Sequence, residues 1–268
     1  MITEANDFLA ESEALFELIN SKTDGELKEV TFFKEWSFDE IIRHLHVWNK
    51  MAYFSLTDRD EFQKEFESLA THLMAGAGHR GAELAWFGEM RGAELLAEWN
   101  AYYKELAAAF ADADPDLRVP WAGPEMSAQS SITARLMETW SHAQAVYDEL
   151  GVVRTNGDHI RSIAELGVRT YRWTFATRKQ DAPLPKPHIR VTAPSGEIWK
   201  WNDASEDELI EGDAGEFCQV VTQTRNIADT NLSVTGPNAT LWMSIAQCFA
   251  GGAEDPPVPG LRHTKGAQ

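Results

Sequence analysis

Apolar residues recur at helical spacing through the first half of the chain, and short extended runs appear only in the second. Residues 4–19 put Phe8, Leu15 and Ile19 on one stripe, which predicts a first helix. A second helix begins at Ser37, where S-F-D-E forms a capping box. Ser37 can accept from the backbone N–H of Glu40, and the Glu40 side chain can reach back. Residues 92–113, rich in Ala and Leu and stopped by Asp114-Pro115, predict a third helix. Residues 130–150, closed by Gly151, predict a fourth. Between the second and third, Gly76, Gly78 and Gly81 punctuate a stretch read as an extra helix and a loop. Four amphipathic helices with long connections predict a four-helix bundle.

Past residue 155 the texture changes. Residues 158–177 still read as helix, then D-A-P-L-P-K-P over 181–187 breaks it. Runs at 188–193 and 197–201 flank Pro194-Ser195-Gly196, a hairpin signal. A run at 208–211, a helix at 214–224, a strand at 231–235 and a helix from Pro237 to residue 249 complete the pattern. The prediction is an α+β chain of two domains, a helical bundle over 1–155 and a smaller α+β domain over 156–252. The Pro/Gly-rich tail, 253–268, is expected to be loose.

Composition narrows the function. The 268 residues carry 24 Lys and Arg against 42 Asp and Glu, a net charge of −18. That field repels phosphate backbones and anionic lipid, so neither nucleic acid nor a membrane is an expected partner. No apolar run approaches the ~18 residues of a membrane span. The acidic N-terminal segment lacks the basic and apolar regions of a secretory signal, so a soluble cytoplasmic protein is expected. Two cysteines, Cys218 and Cys248, are too few for a disulfide scaffold or a Cys-rich zinc module, and both sit in apolar runs.

The candidate chemistry lies in the helical half. On the second helix Ile41, His44, Leu45, Trp48 and Ala52 share one face, which turns His44 inward. His46, about 200° round the helix beside Arg43, Asn49 and Lys50, is expected to face solvent. On the fourth helix Glu138 and His142 are i, i+4 neighbours flanked by the small residues Ala134, Ser141 and Ala145. An inward His from one helix and a Glu/His pair from another make a His2Glu set, the arrangement typical of catalytic zinc. The spacing alone is weak, since about one Glu-x-x-x-His pair is expected by chance in such a chain. A solvated helix pair and a hydrogen-bonded core histidine account for the same residues. His72, His79, His159, His188 and His263 lack a partner at ligand spacing and read as surface or loop residues.

The segment W-S-F-D-E-I-I-R-H-L, residues 36–45, resembles the signature that opens the second helix of DinB-like proteins, in particular the mycothiol-dependent maleylpyruvate isomerase family. A-R-L-M-E-T-W-S-H, residues 134–142, is similar to that family's second metal motif. V-P-W-A-G-P-E-M-S-A (119–128), L-G-V-R-T (166–170) and F-C-Q-V-V-T-Q (217–223) resemble one subfamily of it. The resemblance implies a DinB-like bundle followed by a sterol-carrier-like α+β domain, with His44, Glu138 and His142 as metal ligands. It also implies a divalent metal, zinc first with nickel or iron also suited, and a low-molecular-weight thiol as cosubstrate. The metal would make a thiolate that attacks a small electrophilic substrate, giving isomerisation or thiol transfer. One position departs from the family pattern: relatives carry Asp three residues after the last ligand, and this chain has Ala145, with Asp148 one turn further on as a substitute.

Three further residues are candidates for substrate binding. Arg169 and Arg172 can hold a substrate carboxylate, or anchor a surface; Trp121 can wall a pocket, or plug the bundle end. Other readings of the chain are a metal-dependent hydrolase of the same fold and a small-molecule or lipid binding module. Antiparallel bundles with large apolar faces often pair as C2 dimers, so a homodimer is compatible with the pattern.

Overall fold

Local sequence signals set the helix starts. In the computed structural model, which describes residues 1–266, helix α1 spans Glu4–Ile19 and α2 spans Phe38–Thr57. The capping box is present: Glu40 N–H donates to Ser37 Oγ at 3.2 Å and Ser37 N–H to Glu40 Oε2 at 2.8 Å. The stretch read as one helix and a loop is instead a helical hairpin, α3 (Arg59–His72) and α4 (Gly78–Phe87). Asp58 caps α3, and the link between the two runs through Gly76 at φ 82° and Gly78 at φ 65°. Those left-handed conformations favour glycine, which is why the chain turns there. Helix α5 (Gly92–Ala111), a two-stranded ribbon of β1 (Arg118–Val119) and β2 (Met126–Ser127), and α6 (Ala128–Glu149) follow.

The chain divides into two compact units, the first being Met1–Val146 and the second starting at Tyr147. The division falls inside the last turns of α6, upstream of the expected residue 155. In the first unit α5 packs against α1 and α2, burying Phe8, Leu15, Trp99, Tyr103 and Phe110. Arg135 of α6, itself buried, donates to Asn49 Oδ1 and Leu45 O of α2. The α3–α4 hairpin covers another side of α2 through Val47, Trp48, Met51, Phe62, Leu69 and Ala82. Helix α2 therefore has neighbours on several sides, and every residue from Ile41 to Asn49 is buried.

The second unit mixes helix and sheet. Helices α7 (Arg161–Arg169) and α8 (Tyr171–Ala176) replace the single helix expected over 158–177. Four strands follow, β3 (His188–Thr192), β4 (Ile198–Trp201), β5 (Leu209–Asp213) and β6 (Ser233–Thr235), in the order β4-β3-β5-β6. The β3–β4 pair is the expected hairpin, while β3 and β5 run parallel. Helix α9 (Ala214–Val221) packs on β5 and α7, and α10 (Pro237–Ile245) sets Trp242 against Tyr171 and Phe217. At Gly167 a Cβ would come within 2.8 Å of Val221, so only glycine admits the close approach of α7 and α9.

The tail that composition marked as loose is tied down over its described residues. Gln223 donates to Glu254 O, Asn226 to Pro257 O, and Lys265 N–H to Asp148 O. Proline and glycine deny it regular structure, yet side-chain donors satisfy its carbonyls in place of a ladder. Among the described residues no helix is long and apolar enough to cross a membrane.

Candidate metal centre

The site is built where α2 and α6 meet inside the first unit. Seven residues into α2, the capping box having fixed its start, His44 is only 8% exposed. His142 on α6 is equally buried, and Glu138 one turn earlier keeps 24% of its side chain exposed. Glu138 Oε2 lies 3.6 Å from His44 Nε2 and 3.4 Å from His142 Nε2. One ligand atom from each of the three residues falls within 4.8 Å of the others.

These separations are long for charge-assisted hydrogen bonds, which run about 2.7–2.9 Å. Both are close to the ~3.4 Å that separates neighbouring donors about a tetrahedral ion with ~2.1 Å bonds. The donor chemistry fits as well, two imidazoles and a carboxylate, a set that suits zinc and related divalent metals.

Aromatic rings wall the cluster. A reversal before α2 runs through Lys34 and Glu35 at φ 51° and 58° and is closed by the Thr31 N–H bond to Trp36 O. It sets the Phe33 ring edge-on to His142 at 4.9 Å between centroids. Trp36 stacks on His142 at 5.8 Å and meets His44 edge-on at 5.3 Å. Such walls keep bulk water away from the imidazole faces and lower the local dielectric.

A fourth polar residue completes the picture, one that the sequence did not single out. Glu83 on α4 is 1% exposed, and His44 Nδ1–H donates to its Oε1 at 2.7 Å. Trp48 Nε1–H donates to the same oxygen at 3.0 Å. His79, one turn earlier on α4, is exposed as expected and holds its ring 6.2 Å from that of His44.

The charges follow from these contacts. Burial opposes charging His44, but the Glu83 and Glu138 carboxylates outweigh it and push the metal-free imidazole up to about 9. Burial pulls His142 down to about 4, against the hydrogen-bonding pull of Glu138. Burial alone would raise the Glu138 carboxyl, yet His142 and His44 hold it well below the usual carboxylate range.

Other expectations meet a different outcome. His46 is not solvent-facing: it is 0% exposed, edge-on to Phe87 at 5.0 Å and to Tyr102 at 5.2 Å. Both its ring nitrogens are buried without a hydrogen-bond partner among the described residues, and burial lowers it to about 3. His188 is a buried strand residue whose Nδ1 lies 3.1 Å from Trp201 O. Asp148 does not stand in for the acid missing at Ala145, because Arg225 and Thr264 occupy its carboxylate. Trp121 is half-buried against Trp48 and Phe62, at 5.6 and 6.4 Å. Arg169 and Arg172 are exposed on α7 and α8, and Arg169 pairs with Glu165 at 3.4 Å. Cys218 and Cys248 are buried, and burial pushes the Cys218 thiol up, far from thiolate chemistry.

A family model for the mycothiol maleylpyruvate isomerase N-terminal domain matches residues 8–147. The chain belongs to that family. It is similar to the uncharacterized proteins Rv0036c and MT0041 of Mycobacterium tuberculosis, 33% identical over 91% of this chain and 94% of theirs. Its fold resembles the crystal structure of the mycothiol-dependent maleylpyruvate isomerase, with a TM-score of 0.51 at 15% identity, over 82% of this chain and 86% of that one. A mutant of the same enzyme matches with the same TM-score at 16% identity.

Proposed function

We propose that the chain is a metal- and thiol-dependent enzyme, an isomerase or thiol transferase acting on a small electrophilic substrate. The observation that carries this reading is the cluster of His44, Glu138 and His142, with donor separations of 3.6 and 3.4 Å about Glu138. In it these three residues hold a divalent metal, zinc first. Such a metal supplies Lewis acidity, lowering the pKa of a thiol or water brought to it. Phe33 and Trp36 exclude water from one side, and the partial exposure of Glu138 leaves a way in from solvent. Family membership supports the thiol, since the enzyme that gives the family its name is mycothiol-dependent.

The same reading takes the first unit as a DinB-like bundle and the second as a sterol-carrier-like unit. Trp121 is its candidate pocket wall, and Arg169 and Arg172 are its candidate anchors for an anionic substrate group. Substituting both arginines by alanine then raises KM and leaves metal content unchanged.

Hydrolysis is the second reading, since an open position on such a metal takes water as well as a thiol. Ala145 stands where relatives carry an acid, and His142 Nδ1 is buried with no partner among the described residues. The experiment is turnover of a panel of electrophiles, maleylpyruvate included, by zinc-loaded protein with and without mycothiol. Turnover that requires both zinc and thiol is the expected result. Turnover that proceeds with zinc and no thiol overturns the thiol reading in favour of the hydrolase.

A further inference from the structure

Burying a carboxylate is expensive unless its acceptors are used, and Glu83 is almost wholly buried. Its Oε1 takes two donors, His44 Nδ1–H at 2.7 Å and Trp48 Nε1–H at 3.0 Å, both from α2. Helix α4 delivers it there, the α3–α4 hairpin being packed on α2 through Val47, Trp48, Phe62 and Ala82. An imidazole has two nitrogens, and a hydrogen bond at one fixes what the other presents. With Nδ1–H given to Glu83, His44 turns Nε2 toward Glu138, 3.6 Å away.

The second imidazole has no such support. His142 Nδ1 is buried without a partner among the described residues, and the residue three positions on is Ala145.

We propose that Glu83 is the positioning residue of the metal centre, locking the His44 ring so that Nε2 faces Glu138 and His142. This rests on the reading of those three residues as metal ligands. Glu83 touches neither metal nor substrate; it acts through His44, whose basicity as a ligand it also raises. Trp48 holds the carboxylate oxygen in register from the next turn of α2.

Cobalt(II) is the probe, because its visible bands report ligand geometry without any turnover. Wild type, Glu83→Gln, Glu83→Ala and Trp48→Phe are titrated with cobalt against a chelator of known affinity. Circular dichroism of each metal-free protein checks the fold. Carboxylate partners of this kind typically contribute about 10–100-fold in metal affinity, so Glu83→Ala falls by that factor and its bands shift. Glu83→Gln keeps an acceptor oxygen and loses the charge, and lies between. Trp48→Phe keeps the His44 bond but removes the second donor to Glu83 Oε1, and falls by less than Glu83→Ala. Should Glu83→Ala fail to fold, the near-isosteric Glu83→Gln carries the test: weaker binding with altered bands supports the assignment. Cobalt affinity and bands in Glu83→Gln identical to wild type overturn the positioning role and leave the metal site standing. No cobalt uptake by wild type overturns the metal reading and the role of Glu83 with it.

Discussion

Each unit of this protein buries an ionic cluster, and the two differ in their distances. In the second unit Arg225 grips Asp148 with two bonds of 2.7 and 2.6 Å, and Thr264 adds a third at 3.1 Å. That carboxylate is fully engaged by the chain itself. In the first unit Glu138 stands 3.4 and 3.6 Å from two imidazoles, too far to bond them well and spaced to share an ion with them. Short contacts mark a cluster that is complete as folded. Longer, convergent ones leave a His2Glu cluster that could hold a metal ion.

If that contrast holds, the Asp148 cluster responds to mutation through stability and the His44 cluster through metal. The largest effect is expected from Asp148→Ala, which leaves Arg225 buried and uncompensated. Breaking such a pair costs about 3–5 kcal/mol, read as a shift in urea denaturation, with metal content unchanged. Next is metal loading itself. At a hundredfold excess over Kd, zinc stabilises the folded chain by about 2.7 kcal/mol, and His142→Ala abolishes that gain. Equal stabilisation of wild type and variant would erase the distinction between the clusters.

Protons sharpen it further. Metal-free His44 titrates at about 9 and is an imidazolium at pH 7, so a metal must displace its proton. Calorimetry in buffers of different ionisation enthalpy is expected to show about one proton released per metal at pH 7. Apparent affinity then climbs about tenfold per pH unit toward 9 and flattens above it. The raised value also means that His44 stabilises the metal-free fold fully below its ordinary 6.5, and that this help is lost as pH rises through about 9.

The smallest effect belongs to His46, buried near the cluster but not part of it. His46→Phe removes two unpartnered nitrogens from an aromatic niche beside Phe87 and Tyr102. It is expected to raise stability by about 1 kcal/mol and leave zinc affinity unchanged.

Much of this was legible along the chain where the signal is local. The capping box at Ser37, the breaker at Asp114-Pro115 and the turn at 194–196 each act within a few residues, and helices and hairpin lie where they predict. His44, Glu138 and His142 were legible because helical periodicity turns them inward and a family motif covers both segments. His46 departs from its expected exposure because periodicity assumes that a helix has one wet face. Helix α2 has α5 on one side and the α3–α4 hairpin on another, so no such face exists between Ile41 and Asn49. Glu83 was invisible for a related reason. Its partner His44 is 39 positions away, and nothing in the α4 sequence marks one glutamate as buried. The tail differs from its expected looseness because composition reports the absence of regular structure, while its carbonyls are bonded by the side chains of Gln223 and Asn226.

Whether His44, Glu138 and His142 hold a metal decides between the two kinds of cluster. Elemental analysis of purified wild type beside His142→Ala tests it directly. About one zinc per wild-type chain and none in the variant is the expected result. No metal in wild type, even after incubation with zinc, would contradict it.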